Sequence, residues 1–168
     1  MPLTVRELRG DDVEILIPLL VLAEPEEDAL RWGLAHLSDA VYAAEDDGSL
    51  VGAVSVRWRA EAAVIEELAI DPARQGRGYG RRIVEWVLDE ARRRSKWAVE
   101  VGTPNSSTGN MAFYQRCGFR FQGIRRDYFS YYRDYYGGPR VENGIEVRDL
   151  VMFRREIETS DVKREHGG

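Results

Sequence analysis

The sequence predicts an α+β domain with a mixed central sheet. Seven short stretches carry apolar residues in alternation or in compact blocks, as strands do, and four others repeat them at helical spacing. In chain order they fall as strand, two helices, three strands, helix, strand, helix and two strands, an order in which helices can cover a sheet.

Thr4 to Leu8 alternates about Val5 and Arg6 and opens the chain as a strand. Asp11 or Asp12 can cap a helix carrying Val13, Ile15, Leu16, Leu19, Leu20 and Leu22, which Pro18 should kink or break. Pro25 starts a second helix running toward Leu37. Ala40 to Glu45 and Leu50 to Arg59 are strands joined at Asp46-Asp47-Gly48-Ser49, and Ala62 to Ile70 continues the meander. The next helix begins near Gly78, with an apolar stripe of Ile83, Val84, Val87, Leu88 and Ala91 and with Arg92, Arg93 and Arg94 at its far end. Trp97 to Val101 is a strand that Thr103-Pro104-Asn105-Ser106-Ser107 breaks. Ser106, Ser107 or Thr108 can cap a short helix over Asn110 to Arg116, ended by Gly118. Phe119 to Phe129 and Ile145 to Ile157 read as the last strands, around a loop over Tyr131 to Gly144. Residues 1–157 thus read as one domain and 158–168, almost without apolar residues, as a disordered tail.

Composition narrows the function. A chain of 168 residues, 43% hydrophobic and 32% charged, suits one globular domain. It has neither a signal-peptide start nor an apolar run near the ~20 residues of a membrane span, so a cytoplasmic protein without a membrane partner is expected. One cysteine and two histidines leave no disulfide and make no conventional zinc site, so no metal is expected. A formal charge of −5 argues against nucleic acid and favours a cationic substrate.

Glu66 to Arg82 reads EELAIDPARQGRGYGRR. Gly76, Gly78 and Gly80 strip a strand-to-helix turn of side chains, and the helix that follows points unpaired N–H groups into the same space. With Arg74, Arg77, Arg81 and Arg82 around it, the turn is built for a phosphate. There is no Gly-Lys-Ser/Thr of a nucleotide P-loop, and the glycine spacing of two and two differs from the dinucleotide fingerprint. A tight turn alone would need only one or two of these glycines.

Gln75-Gly76-Arg77-Gly78-Tyr79-Gly80 resembles motif A of the GNAT superfamily of N-acyltransferases, and Ala112-Phe113-Tyr114-Gln115-Arg116-Cys117-Gly118-Phe119 resembles its motif B. The two stand in the family's order, and the likeness in topology covers roughly residues 3 to 157. The resemblance implies a mostly antiparallel sheet of about seven strands flanked by four helices. It also implies acetyl-CoA as acyl donor, with backbone N–H groups from Gln75 to Arg81 on the pyrophosphate. Leu68, Ala69 and Ile70 would then pair with the pantetheine arm as an added strand does.

An amine of lysine-like pKa is neutral to less than about one part in a thousand at pH 7, so attack on a thioester needs a base. Glu66 and Glu67 lie in the strand beside the expected thioester. Alternation puts Glu66 with Val64 and Leu68 and Glu67 with Ile65 and Ala69, so one of them faces the acceptor. Either is a candidate base, and either can instead pair with Arg57 or Arg59; Glu67 directly precedes the cofactor edge. Tyr114 matches the motif B tyrosine near the cofactor sulfur and is the candidate general acid, against a plainer role as a core aromatic with Phe113 and Phe119. Asn110, one turn before Tyr114, and Asn105 are candidate cofactor ligands. The family's usual asparagine seven residues before the tyrosine is Ser107 here, so the choice among the three stays open, with capping as the alternative. Cys117 reads as a small buried group, and His36 and His166 as surface or packing residues.

Tyr128, Tyr131, Tyr132, Tyr135 and Tyr136, with Asp127 and Asp134, can line an acceptor site for a cationic amine or form a homodimer surface. The expected activity is direct transfer of acetyl from acetyl-CoA to a small-molecule or peptide amine. A non-catalytic acyl-CoA sensor or scaffold module is the alternative.

Overall fold

The computed structural model describes residues 2–158. Of the expected tail only Glu158, which is exposed, is among them, and residues 159–168, with His166, lie outside the described residues. The elements run β1 (Thr4–Leu8), α1 (Ile17–Leu20), α2 (Glu27–His36), β2 (Ala40–Asp46), β3 (Ser49–Trp58), β4 (Ala62–Ile70), α3 (Tyr79–Arg93), β5 (Ala98–Pro104), α4 (Thr108–Arg116), β6 (Arg120–Arg125), α5 (Ser130–Tyr135), β7 (Val141–Glu142), β8 (Ile145–Glu146) and β9 (Leu150–Glu156). Seven strands make one mixed, mostly antiparallel sheet, β1-β2-β3-β4 among the first four and β5-β9-β6 among the others, while β7 and β8 pair apart. The fold class is the one expected. Where the sequence reads one domain, the described residues group into two compact units, one up to Val99 and again from Ile157, the other from Glu100 to Glu156.

In the first unit, α1 and α3 cover opposite faces of the β1–β4 meander. Leu16, Leu19 and Leu20 pack with Val41, Ala43, Ala53 and Ala69, which the strand register places on one face. The predicted α3 stripe of Ile83, Val84, Val87, Leu88 and Ala91 is fully buried. Its Ile83 presses on Gly52, where an added Cβ would lie 2.8 Å from Ile83 Cδ1 and 3.0 Å from the Ala69 carbonyl oxygen. Asp47 and Gly48 turn β2 into β3 with φ of 51° and 74°, the two positive angles of a type I′ hairpin.

Several expected boundaries move for identifiable reasons. Gly10–Leu16 winds as a 3-10 helix, and Pro18 sits at the start of α1, where its missing N–H has no partner to lose, rather than breaking a helix interior. In the second unit the expected strand over 119–129 stops at Arg125, because Asp127 takes a φ of 56° and turns the chain. The expected loop over 131–144 holds α5 and the β7–β8 hairpin. A six-residue helix has little stability of its own. Tyr132 and Phe129 fix α5 by packing with Val147, Leu150 and Met152. Among the described residues no helix is long and apolar enough to cross a membrane.

The close approach of α3 to Gly52 gives a stability test. Gly52→Val should destabilise the protein by about 1–3 kcal/mol through overpacking, although valine favours strands. A urea titration measures it, and an unchanged midpoint would contradict the packing described.

Candidate active site

The first unit carries the two glutamates and the glycine turn. The pairing of β4 with β3 slips by one residue: Ile65 pairs with Val56 and Glu67 with Ser55, which leaves Glu66 as the extra residue of a β-bulge. The Ser55 hydroxyl accepts the Glu67 N–H at 3.1 Å, satisfying a group the bulge takes out of the ladder. Strict alternation therefore fails here. Glu67 shares the face of Ser55, Ala53 and Ala69, as expected for Ala69, but no longer that of Ile65, which faces α3 with Val54 and Val56.

Glu66 reaches Arg57, two residues from Ser55 on the same face of β3, with Nη2 and Oε1 3.0 Å apart. This is the ion pair weighed for either glutamate. It belongs to Glu66. Both carboxylates thus lie toward one side of the sheet, where alternation would send them to opposite sides. Glu67 is partly buried, and protein packs closely around its carboxyl group. Desolvation first, then the charges of Glu24 and Glu66, push its pKa up to about 8.

Glu24 is an acid that the sequence gives no reason to single out. It is 9% exposed and lies just beyond α1, its N–H bonded to the Leu20 carbonyl at 3.1 Å and its Oε1 accepting the Glu26 N–H at 3.0 Å. Because α1 packs on the Ala53 and Ala69 face, it carries Glu24 toward the side on which Glu67 points.

After β4, Asp71 accepts the Ala73 N–H at 3.0 Å and holds a short 3-10 turn over Pro72–Arg74. Gln75 folds back to donate its side-chain amide to the Ile70 carbonyl at 3.3 Å. Gly76 and Gly78 have φ of 76° and 82°, and an added Cβ at either meets nothing within 4 Å. Gly80 is already helical. Gly78 caps α3 without a side-chain hydrogen bond, and the first amide bonded inside the helix is that of Arg82, to the Gly78 carbonyl at 3.1 Å. The N–H groups of Tyr79, Gly80 and Arg81 therefore point out of a fifteen-residue helix beside exposed Arg77, Arg81 and Arg82. These residues fit a pyrophosphate. Leu68, Ala69 and Ile70 pair on one side with Val54, Ala53 and Gly52.

In the second unit, Tyr114 is 6% exposed on α4, its ring 5.0 Å from that of Phe113, 5.6 Å from Phe119 and 6.2 Å from Phe153. Asn110 is exposed on the same helix. Asn105 is a latch: its Oδ1 accepts the N–H groups of Arg148 and Asp149 at 2.9 and 3.0 Å, and its Nδ2 donates to the Glu146 carbonyl at 3.1 Å. That leaves one amide hydrogen for any ligand. Ser107 stands at the cap position of α4 but makes no side-chain cap bond. Its hydroxyl donates to Glu142 at 2.9 Å, and that of Ser106 to the same carboxylate at 3.1 Å. Of the three open candidates, Asn110 alone has a side chain exposed to solvent.

Cys117 is buried, as expected, and His36 is exposed and stacked on Trp32 at 4.8 Å. The tyrosine cluster divides: Tyr132 is core, while Tyr135 is 82% exposed. No group of three or more His, Cys, Asp or Glu able to hold a metal occurs among the described residues.

Glu67 makes stability depend on pH in a direction opposite to most carboxylates. Its folded pKa lies above the ordinary 4.5, so the folded state keeps a proton that the unfolded chain releases. The stability tied to that proton is complete below about 4.5 and is lost as pH rises through about 8. Glu67→Gln should match the wild type in urea unfolding near pH 4 and exceed it near pH 9; equal stabilities at both would contradict the raised pKa.

The acetyltransferase (GNAT) family model matches residues 11–119. The uncharacterised N-acetyltransferase YvbK of Bacillus subtilis is 32% identical over 148 residues, which cover 88% of this chain and 92% of the relative. A GNAT family acetyltransferase from Elizabethkingia anophelis, crystallised with acetyl-CoA bound, superposes with a TM-score of 0.79 at 29% identity over 92% of this chain and 97% of its own. A Bacillus subtilis acetyltransferase in complex with CoA gives 0.79 at 28% identity over 93% and 99%. The chain belongs to the GNAT acetyltransferase family, whose acyl donor is acetyl-CoA.

Proposed function

We propose that the protein is an N-acetyltransferase that passes the acetyl group of acetyl-CoA directly to a primary amine, with Glu67 as general base. The supporting observation is the Glu67 carboxyl, held partly buried on β4 with a pKa near 8 in the strand that leads into the glycine turn. A base of ordinary carboxylate pKa would have to take a proton from an alkylammonium against about six powers of ten; at 8 the gap is about two. Even at pH 7 about a tenth of it is ionised and ready.

In this reading each residue has one task. The first-turn amides of α3, with Arg77 and Arg81, hold the pyrophosphate, and the edge of Leu68 to Ile70 away from β3 aligns the pantetheine. The bound donor supplies an activated acetyl thioester. Glu67, directly or through a water, takes the proton of the acceptor, and the freed amine attacks the carbonyl carbon. The C–N bond forms as the C–S bond breaks, and the sulfur leaves with the bonding pair. Tyr114 gives it a proton. That help is useful without being obligatory, since a thiol of pKa about 8.5 is a better leaving group than a phenol of about 10 is an acid. Glu66, paired with Arg57, is not the base, but its charge still acts on Glu67. Asn110 contacts the cofactor. The acceptor is a small-molecule or peptide amine, and the protein works in the cytoplasm.

Release of thiol from acetyl-CoA, measured against polyamines, amino acids, aminoglycosides and N-terminal peptides, tests the activity. Turnover with none of them, alongside tight CoA binding, would replace the enzyme with an acyl-CoA sensor. With an accepted amine, kcat/KM should rise with pH through an apparent pKa near 8, and Glu67→Gln should lose about a hundredfold or more in rate, partly restored at high pH. Glu24→Gln should move that limb to lower pH by removing a repelling charge. A limb that stays in place in both variants would exclude Glu67. Tyr114→Phe should lower kcat about tenfold or more with CoA affinity unchanged; wild-type turnover would remove it as the acid.

A further inference from the structure

The first residue of α3 is tied to a distant part of the first unit. Tyr79 is 8% exposed, and its hydroxyl donates to Oδ2 of Asp46, the last residue of β2 before the Asp47-Gly48 turn. On the same side, the Arg82 guanidinium lies 5.5 Å from the centre of the Tyr79 ring. The Asp46 carboxyl is held below the usual carboxylate range by the Tyr79 hydrogen bond first, and then by the charges of Arg82 and Arg74. Asp46 therefore stands among the arginines of the glycine turn, a position at which a carboxylate would repel a phosphate.

The side-chain bonds of the turn itself lie close to β4, where Asp71 accepts the Ala73 N–H and Gln75 donates to the Ile70 carbonyl. Gln75, Gly76, Arg77 and Gly78 are exposed, and Gly78 caps the helix with no side-chain bond. The turn is open enough for an anion, and its own side-chain bonds come before Gly76 rather than at the start of α3. Three diverging amides bind an anion well only when they are aimed before it arrives, because ordering them on binding subtracts from affinity. The buried phenol of Tyr79 is placed to do the aiming, and its partner is Asp46.

We propose that Asp46 and Tyr79 are a positioning pair for coenzyme binding: the end of the β2–β3 hairpin holds the first turn of α3 at the angle where its amides meet the pyrophosphate. This rests on the reading of residues 75–81 as the pyrophosphate cradle. Asp46 touches no ligand in this scheme. It acts through Tyr79, and its own charge opposes the phosphate it helps to place.

Calorimetric titration of the whole chain with CoA, and in parallel with pantetheine, which lacks the pyrophosphate, tests the pair without needing an acceptor. Tyr79→Phe should weaken CoA binding about five- to tenfold, Asp46→Ala should weaken it less because it also removes a charge that repels the phosphate, and both should leave pantetheine binding unchanged. The double variant should bind CoA no more weakly than either single one, since both remove the same tie. Wild-type CoA affinity in Tyr79→Phe overturns the proposal. So do equal losses for CoA and pantetheine, which mean that the substitution loosens the unit at large. A folded wild-type protein that fails to bind CoA brings down the cradle itself, and the proposal with it.

Discussion

One extra residue in β4 decides how the chemistry of the first unit is arranged. The β3 register runs from Ile65 opposite Val56 to Glu67 opposite Ser55, with Glu66 the residue inserted between them, and the insertion swings Glu67 onto the face of Ser55, Ala53 and Ala69. Without the bulge Glu67 would share the face of Ile65, packed with Val54 and Val56 on the side that α3 covers. A carboxyl group there would be buried in an apolar layer. With the bulge it points to the α1 side of the sheet, where desolvation and the charges of Glu24 and Glu66 act on it together. The Ser55 hydroxyl, fully buried, accepts the amide that the bulge displaces, and so makes the irregularity affordable.

From that constraint follows a division of labour between two adjacent acids. Glu66 pairs with Arg57 at 3.0 Å. Glu67 is desolvated first and then crowded by the charges of Glu24 and Glu66, which moves its proton affinity toward neutrality. Two identical side chains, one residue apart, thereby stand in different surroundings, one against a guanidinium and the other among carboxylates. The glycine turn shows the same logic of local difference: Gly76 and Gly78 take left-handed angles that clear the space, while Gly80 sits inside the helix that fills it with amides.

Much of this was legible in the sequence. β1 and β4 have the expected bounds, the α3 stripe is buried as read, and Gly78 starts the helix. These elements carry long periodic patterns or glycines with a single use. The bulge was not legible, because one inserted residue leaves no mark on composition and yet reverses the parity of everything beyond it. Nor was Glu24, whose role comes from the packing of α1. Asn105 and Ser107 have the side chains of cofactor ligands, but Arg148, Asp149 and Glu142, all remote in sequence, occupy them. The residues from Tyr131 to Gly144 read as a loop because their order depends on Val147, Leu150 and Met152 rather than on their own pattern.

The chemistry proposed for Glu67 depends on the proton affinity of its carboxyl group. An NMR titration of the Glu67 side-chain carboxyl carbon, in protein labelled with carbon-13 at glutamate and assigned with Glu67→Gln, reads it without substrate. A midpoint near 8 is the predicted result. A midpoint near the ordinary 4.5 would mean that the bulge leaves Glu67 an unremarkable acid, and the base would have to be sought elsewhere.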